Sequence, residues 1–367
     1  MAKFLLFRAE DLKDYMVRFF VKLNVPQDDA ETAAEVLLSA DLRGVDSHGI
    51  IRLNTYYGDR LRKGLIDPLS PVTVLQETPV SLALSGGNGM GQVVGKQAMT
   101  RAIEKARQIG MAMVTVRNSN HYGIAGYYAM MALEQDMIGI SFTNSQPLVA
   151  PTYGRKAMLG TNPIAVAVPA GSERPYVLDM ATSIVPIGRV TVYDKAGKPI
   201  PAGWGIDKEG AVTTNPSDVL KGGALMPLGG IDLMRGYKGY GLGLLVDIFS
   251  GVLSGAAFAA NVAHPSSGGQ FANVGHFFAA IRIDAFRPLA EFKQDMDAII
   301  HQLKDSPKAV GQERIYIHGE KEFERAEHNR QAGVPLLEPV VKGLRESGKQ
   351  IGVEFDLPLL GEKEEEE

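Results

Sequence analysis

The stretch Val80-Ser81-Leu82-Ala83-Leu84-Ser85 begins the part of the chain that decides the fold. This short apolar run is followed by glycines and predicts a β-strand. Helical and strand patterns then alternate, with a helix over 92–107, a strand over 111–117, a helix over 126–135 and a strand over 137–143. This βαβαβ order is typical of an α/β layer with parallel strands. Because ligands in such sheets bind beyond the carboxyl ends of the strands, the sequence predicts a ligand site at that edge.

Helical segments are predicted on both sides of this layer. Residues 1–74 show amphipathic helical patterns that end in prolines, and they predict an N-terminal helical unit. The central α/β region is expected over 75–288 and includes a loop-rich excursion at 194–230, of a kind that is usually functional. Residues 289–361 predict helices that pack with the N-terminal unit. The acidic tail, 362–367, is expected to be solvated and disordered.

Composition excludes several classes of protein. The 367 residues include no cysteine, which rules out disulfides, thiolate nucleophiles and cysteine-based metal sites, and the histidines show no metal-ligand spacing. The net charge of -4 gives no reason to expect nucleic acid or an anionic membrane as a partner. The first seven residues do not resemble a secretory signal, so a cytoplasmic protein is expected.

One apolar stretch, 239–260, is long enough to be considered as a membrane span. Asp247 lies in its middle, and glycines and serines interrupt it, so a buried helix is predicted instead. The small residues from Gly251 to Gly255 have the spacing that lets helices approach closely, which would suit a subunit contact.

The segment from Asp41 to Arg52 is the first candidate for chemistry. A helix is expected to start here with Asp46 or Ser47 as its N-cap, so that His48 lies in the first turn. The positive end of the helix dipole would keep the imidazole neutral and able to exchange a proton. Arg52, one helical turn later, could hold a carboxylate by two hydrogen bonds. A 2-hydroxy acid requires this pair of groups, although a turn-capping His48 and an Arg52–Asp46 ion pair form the structural alternative.

Further candidates follow the predicted strands. Polar residues occupy 118–123 and 144–146, and His121 in the first of these segments is a second acid–base candidate, with a hydrogen bond to a loop carbonyl as its alternative role. Asp179 ends a short strand before small polar residues, where it could meet a ribose, orient an imidazole or cap a turn. Lys238 could meet a cofactor phosphate or carboxamide, or be solvated.

Common nucleotide and hydrolase motifs do not fit this sequence. Gly87-Asn88-Gly89 follows a strand and precedes a helix, but Gln92 stands where G-x-G-x-x-G needs its third glycine. A P-loop fails as well, because Gln97 rather than Ser or Thr follows Lys96. The sequence also lacks H-E-x-x-H and G-x-S-x-G. A Rossmann fingerprint, a zinc peptidase and a serine hydrolase are therefore not expected.

Six motifs spread over nearly the whole chain carry a family resemblance. They are Leu42-Arg43-Gly44-Val45-Asp46-Ser47-His48-Gly49, Ser119-Asn120-His121-Tyr122-Gly123, Gly160-Thr161-Asn162-Pro163-Ile164-Ala165, Val177-Leu178-Asp179-Met180-Ala181-Thr182-Ser183, Tyr237-Lys238-Gly239-Tyr240-Gly241 and His318-Gly319-Glu320. Together they closely resemble the malate/L-lactate/sulfolactate/ureidoglycolate dehydrogenase family. The resemblance implies an NAD(P)-dependent oxidoreductase acting on small 2-hydroxy acids, with malate as the first expectation, and a homodimer with the active site between domains.

The same resemblance implies an α/β fold with a non-Rossmann dinucleotide-binding domain, in which helices flank a mostly β sheet. A helical domain built from the N- and C-terminal segments would complete it. For the reaction, the resemblance places the proton donor or acceptor at His48 or at His121, and we favour His48. Ser47 and Asp179 are expected to orient its imidazole.

Binding roles are carried onto the residues that match the motifs. Candidate substrate-binding residues are Arg52, Tyr122 and Thr161. Candidate cofactor-binding residues are Ser145, Asp179, Met180, Ala181, Thr182, Ser183, Tyr237, Lys238, His318, Gly319 and Glu320. The family usually has proline where this chain has His318, so the last motif departs from the family pattern at its first position.

Two questions stay open from the sequence. The coenzyme is NAD or NADP, because no Rossmann acidic residue reports on the ribose 2′ position. The substrate could also be another 2-oxo acid, of the lactate, sulfolactate, ureidoglycolate or diketogulonate type, or a cyclic imino acid. The alternative from another class is a catalytically silent ligand-binding or assembly protein.

Overall fold

The computed structural model describes residues 3–69, 72–263 and 269–364. Within these ranges the α-helices are α1 (Ala9–Lys22), α2 (Gln27–Leu42), α3 (Asp59–Arg62), α4 (Gly91–Ile109), α5 (Ala125–Met131), α6 (Ile187–Lys195), α7 (Pro216–Leu220), α8 (Tyr237–Asp247), α9 (Leu289–Asp305), α10 (Glu320–Ala332) and α11 (Glu338–Ile351). The strands are β1 (Lys3–Phe7), β2 (Thr73–Glu77), β3 (Ser81–Ser85), β4 (Met111–Ser119), β5 (Met137–Thr143), β6 (Ile164–Val168), β7 (Tyr176–Met180), β8 (Gly205–Ile206), β9 (Val212–Thr213), β10 (Ala224–Leu225), β11 (Val274–Arg282), β12 (Val334–Leu337) and β13 (Gly361–Glu364).

The largest sheet in the described part of the chain has the order β2-β3-β4-β11-β5-β6-β7. Strands β3 and β4 are parallel, as predicted. Strand β11 lies between β4 and β5 and is antiparallel to both, so β5 runs in the predicted direction without pairing with β4. The local βαβαβ pattern could not reveal this insertion, because β11 arrives more than a hundred residues later. The predicted α/β class, with helices flanking a non-Rossmann sheet, is confirmed.

Helices α4 and α5 cover this sheet through a shared hydrophobic core. Small and branched side chains of α4, among them Val94 and Ala98, are fully or nearly fully buried against strand residues such as Val114 and Phe278. Gly139 in β5 lets α5 lie close to the sheet, since a Cβ there would stand 2.1 Å from the carbonyl oxygen of Ala129. The polar ends of β4 and β5 therefore emerge at one fixed edge of the layer.

A second core joins the two ends of the described chain. Side chains of α1 and α2 pack with those of α10, β12 and α11. The Tyr15 hydroxyl donates to the carbonyl of Leu344 at 2.9 Å, and its ring contacts Phe355 edge-on with centroids 4.8 Å apart. Helix α9 is held against the sheet layer, where Asp297 accepts from the backbone of Gly171 and Lys293 pairs with Asp136.

The acidic tail differs from its prediction. Residues Gly361–Glu364 form β13, which pairs antiparallel with β1, and Lys3 pairs with Glu362 at 2.9 Å. Residues 362–364 are exposed, as predicted, but the predicted disorder is wrong for them, because the edge of β1 provides backbone partners that composition does not reveal. The rest of the tail, 365–367, lies outside the described residues.

The loop-rich excursion contains α7 and the small sheet β10-β8-β9, around a core that includes Val219 and Leu225. Helix α8 also differs from its prediction. Leu242 and Leu245 are exposed at 38% and 41%, and Ile248 in the π-helical turn that follows is exposed at 43%, so one side of this helical segment is not buried in the single chain. Across the described ranges, none of the helices has the length and apolar character that crossing a membrane requires.

Candidate active site

The turn after α2 is shaped by Asp41. Its buried carboxylate accepts the backbone N–H of Ile50 at 2.8 Å, and burial raises the pKa of this carboxyl well above its ordinary value. A Cβ at Gly49 would stand 1.8 Å from Asp41 Oδ1, so only glycine lets the chain pass this close. The side chain of Asn329 in α10 donates to the carbonyls of Asp41 and Leu42 and fixes the turn from below.

The backbone of the following residues corrects the predicted helix start. Asp46–His48 form a single 3-10 turn, and helical geometry resumes only at the π-helix Leu53–Gly58. Neither Asp46 nor Ser47 is an N-cap. Ser47 and Arg52 meet through the turn itself, because Arg52 Nε donates to the Ser47 carbonyl at 2.8 Å.

His48 is a neutral imidazole at neutral pH. Burial, and then the positive charge of Arg52, lower its pKa from 6.5 to about 4. The neutral state was predicted, but from a helix dipole that this turn does not supply. Ser47 Oγ lies 2.8 Å from His48 Nδ1, which fixes the ring. The alternative ion pair between Arg52 and Asp46 does not form, and no described residue pairs ionically with Arg52.

His121 lies directly beside His48. The two rings stack with centroids 5.4 Å apart and an interplanar angle of 28°. His121 Nδ1 is 2.6 Å from the Tyr57 hydroxyl and accepts the backbone N–H of Gly123 at 3.3 Å, so the ring proton lies on Nε2. Burial, followed by electrostatic interaction with His48 and Arg52, lowers the pKa of His121 well below its ordinary value. The structure therefore brings both histidine candidates together, and both are neutral.

A cavity of about 570 Å³ opens beside this pair. It lies between the turn after α2, the start of α5, the ends of β6 and β7, and the segment that leads into α10. Among the residues predicted from sequence, those that line it are Ser47, His48, Thr161, Asp179, Met180, Ala181, His318 and Gly319. A smaller adjoining recess of about 50 Å³ is lined by His48, His121, Tyr122, Ser145 and Thr161. His48 and Thr161 line both spaces, so the predicted catalytic and cofactor-binding residues lie around neighbouring spaces.

Asp179 faces the cavity from the end of β7. Its Oδ2 accepts the N–H of Gly126 at 2.8 Å. Desolvation of the carboxyl by its surroundings raises its pKa to about 6. Arg43 partly offsets that increase, whereas Glu322 adds to it. The hydrogen bond to the start of α5 fixes Asp179 in the cavity wall. In the described part of the chain, Asp179 forms no hydrogen bond or ion pair with His48.

Several predicted residues support the cavity from behind. The Tyr122 hydroxyl is buried 3.1 Å from Ser141 Oγ, and the Thr182 hydroxyl donates to the carbonyl of Asn162 at 3.0 Å. Ser145 Oγ accepts the N–H of Thr161 at 3.1 Å. Ser183 is buried and donates to the carbonyl of Val185. These side chains fix the backbone that forms the cavity floor.

Glu320, Tyr237 and Lys238 lie away from the cavity surface. The Glu320 carboxylate accepts the N–H of Ile317 at 2.9 Å and pairs with Lys304 at 2.5 Å, which anchors the segment carrying His318 and Gly319. Tyr237 and Lys238 are exposed at the start of α8 and line neither space. The structure therefore does not bring these two residues to the histidine pair within one chain.

Sequence reasoning missed the residues that act through distant contacts. Tyr57, in the π-helix after His48, was not singled out for a role in the site. His276 in β11 was not singled out, yet it stacks on Tyr122 with centroids 4.6 Å apart and is held by Ser119 and Thr143, each at 2.8 Å. Arg43 was noted only as one residue of the first motif and was given no role. No local signal distinguishes these positions, because their partners lie far away in sequence.

Comparison with known proteins decides the family. The family model described as malate/L-lactate dehydrogenase matches residues 7–345. The chain belongs to this family. The malate dehydrogenase of Pyrococcus horikoshii is 49% identical over 344 residues, which cover 94% of each chain. The L-sulfolactate dehydrogenase of Methanocaldococcus jannaschii is 37% identical and covers 96% of this chain and 99% of its own.

A solved structure supports the same assignment. The malate dehydrogenase from Entamoeba histolytica superposes with a TM-score of 0.91 at 38% identity, covering 96% of this chain and all of its own. The predicted membership of the malate/L-lactate dehydrogenase family is therefore confirmed. Members of this family are NAD(P)-dependent dehydrogenases of 2-hydroxy acids, and this chain is an enzyme of that type.

Proposed function

We propose that this chain catalyses the reversible NAD(P)-dependent oxidation of malate to oxaloacetate in the cytoplasm. The observation that carries the proposal is the neutral imidazole of His48 on the cavity wall, with the guanidinium of Arg52 near enough to lower its pKa and without an ion pair to a described residue. This is the arrangement that a 2-hydroxy acid needs, with one group for the proton and one for the carboxylate. The malate dehydrogenase at 49% identity supports malate as the substrate.

The cavity suits a nicotinamide dinucleotide. Arg43 lies on its wall as a buried cation whose guanidinium has no hydrogen bond to a described residue. Gly319 has a positive φ of 94°, and a Cβ there would stand 2.9 Å from Val177, so its bare backbone forms part of the surface. When bound, the nicotinamide ring supplies the hydride acceptor for oxidation and the hydride donor for reduction.

The side chains of the chain handle the proton and the substrate charge. In oxidation, His48 Nε2 accepts the proton of the 2-hydroxyl while Nδ1–H donates to Ser47 Oγ. Arg52 binds the C1 carboxylate, and its bond to the Ser47 carbonyl keeps it at a fixed distance from the imidazole. In reduction, the protonated His48 returns the proton to the oxo oxygen. A carboxylate bound at Arg52 would raise the pKa of His48, because it offsets the positive charge that lowers it.

An absorbance assay tests the proposed function. The purified chain is mixed with NADH or NADPH and with oxaloacetate, pyruvate, sulfopyruvate or a cyclic imino acid, and the loss of reduced-nicotinamide absorbance is followed. We expect oxaloacetate to give the largest kcat/KM. A larger value for another substrate would contradict malate while leaving the dehydrogenase class in place.

Tyr57 is proposed to hold His121 in its Nε2–H form. Tyr57→Phe removes the 2.6 Å hydrogen bond to Nδ1, and we expect a loss of about 1 kcal/mol in the free energy of unfolding together with a several-fold lower kcat. The matched control is Tyr15→Phe, which removes a buried hydroxyl that donates to the Leu344 carbonyl in the same hydrophobic core but does not contact His121. That variant should lose stability without losing kcat, as measured by denaturant unfolding and steady-state kinetics. Equal kcat in the two variants would contradict a role for Tyr57.

We also propose that two copies of the chain associate through an apolar face that runs from α8 into the helical turn after it, and that is defined by the exposed side chains of Leu242, Leu245, Ile248, Val252 and Leu253. Their spacing places them along one side of the helical segment, and no charged side chain interrupts the row. An uncharged apolar face is complementary to an identical copy of itself. This support adds to the dimer implied by the family resemblance.

Sedimentation equilibrium measures this association. We expect the natural chain to sediment as a dimer and Leu245→Glu as a monomer, because a carboxylate would be buried in the proposed contact. Val310→Glu introduces the same charge at a fully exposed position and serves as the control. A dimeric Leu245→Glu chain would place the contact elsewhere.

A further inference from the structure

Arg43 is a buried cation without a partner. Only 9% of its surface is exposed, and its guanidinium lies over the ring of Phe323 with 4.7 Å to the centroid. Among the described residues its guanidinium forms no hydrogen bond or ion pair, although Glu322 and Asp179 act on it from a greater distance and favour its charged form. A buried arginine normally satisfies its donors, so donors that face a cavity indicate a ligand with acceptor oxygens.

A second cation faces the same space. Lys321 lines the cavity, and its ammonium lies 4.4 Å from the centroid of the Tyr316 ring. Like Arg43, it has no ion pair with the described residues. Both cations are therefore held on aromatic faces rather than by carboxylates, an arrangement that fixes their positions while leaving their charges available.

The beginning of α10 adds backbone donors. The N–H of Phe323 is bonded to the Gly319 carbonyl at 2.9 Å and that of Glu320 to the Ile317 carbonyl at 3.1 Å. The N–H groups of Lys321 and Glu322 lie between these two and have no acceptor among the described residues. The first turn of a 13-residue helix thus opens on the cavity, with the positive end of its dipole beside both cations.

We propose that Arg43, Lys321 and the first turn of α10 form a phosphate subsite for the diphosphate bridge of the nicotinamide dinucleotide. This inference rests on the proposed function and adds Arg43 and Lys321 to it. A phosphoryl group matches the donors on each element, since it accepts a guanidinium fork, an ammonium and helix N-terminal amides. Glu322 and Asp179 line the same cavity, and the positive charge of Arg43 partly offsets the negative charge of Asp179.

Equilibrium binding tests the subsite without relying on turnover. The full chain is titrated with NADH and with NADPH by nicotinamide fluorescence, and inorganic pyrophosphate is used as a competitor. We expect Arg43→Gln to raise both Kd values at least ten-fold and Lys321→Met to raise them three- to ten-fold, with pyrophosphate competing only weakly in either variant. Lys342→Met removes an exposed lysine on α11 and should leave both Kd values unchanged.

The outcomes separate the subsite from the proposed function. Unchanged Kd values in both Arg43→Gln and Lys321→Met would overturn the subsite alone, and a loss confined to NADPH would assign the cations to a 2′-phosphate instead of the bridge. A natural chain that binds NADH but reduces no 2-oxo acid would overturn the function and leave the subsite supported. Should Arg43→Gln fail to fold, Lys321→Met gives the decision, because its side chain is exposed.

Discussion

Replacing His48 by glutamine is expected to lower kcat for malate oxidation by about 10²- to 10⁴-fold, the contribution of a positioned general acid–base group. Glutamine can keep a hydrogen bond to Ser47, so the turn should hold its shape while proton transfer is lost. Steady-state kinetics measures the change, with circular dichroism to verify the fold. His121→Gln is the comparison, and a greater loss there than in His48→Gln would move the proton role to His121.

The pH profile of kcat/KM gives a second test of whether His48 is the general base. Its pKa in the free chain is about 4, so the imidazole is already the required neutral base at pH 7, and the rate of oxidation should fall only as the pH drops towards 4. Asp179 titrates in the same cavity at about 6 and would produce a separate inflection. The step near 4 should disappear in His48→Gln. Its persistence in that variant would mean that another group is the base.

Replacing Arg52 by alanine is expected to lower kcat/KM for malate by about 10- to 100-fold, because a hydrogen bond to a charged group is worth about 1.5–3 kcal/mol. Arg52→Lys should recover part of the loss, since an ammonium keeps the charge but not the two parallel hydrogen bonds. Arg345→Ala, which removes an exposed arginine on α11, is the matched control. Unchanged kinetics in Arg52→Ala would remove this residue from the substrate site.

The same variant should also change the pH profile. Arg52 contributes to the low pKa of His48, so its removal should raise that pKa and move the acid limb of kcat/KM to higher pH. Arg345→Ala should leave the limb in place. A loss of affinity with an unmoved acid limb would indicate that Arg52 binds substrate without acting on the imidazole.

The sequence predicted the parts of the site that lie close together along the chain. His48, Ser47 and Arg52 belong to one short segment, and their proximity survives even though the backbone is a 3-10 turn and not the predicted helix. The neutral imidazole was predicted from the wrong cause, because burial and Arg52 act where a helix dipole was expected. Motif matching then brought in Thr161 and Asp179, which line the same cavity.

What could not be predicted depends on long-range contacts. The position of Arg43 is set by the ring of Phe323, 280 positions later, and that of His121 by the Tyr57 hydroxyl. The exposed side of α8 could not be recognised from its composition, because hydropathy alone does not distinguish an apolar side chain in the core from an apolar side chain on the surface. The pairing of β13 with β1 joins segments at opposite ends of the described chain.

The central place of β11 has a consequence for synthesis of the protein. As the chain leaves the ribosome, β4 and β5 emerge early, but the strand that must separate them follows some 130 residues after β5. Until then the nascent sheet has two open edges in its middle, which could pair wrongly or attract another nascent chain. This sheet can therefore be completed only after β11, which ends at Arg282, has been synthesised. Because pairing between strands far apart in sequence is slow, a chaperone that covers the open edges would protect the nascent chain during that interval.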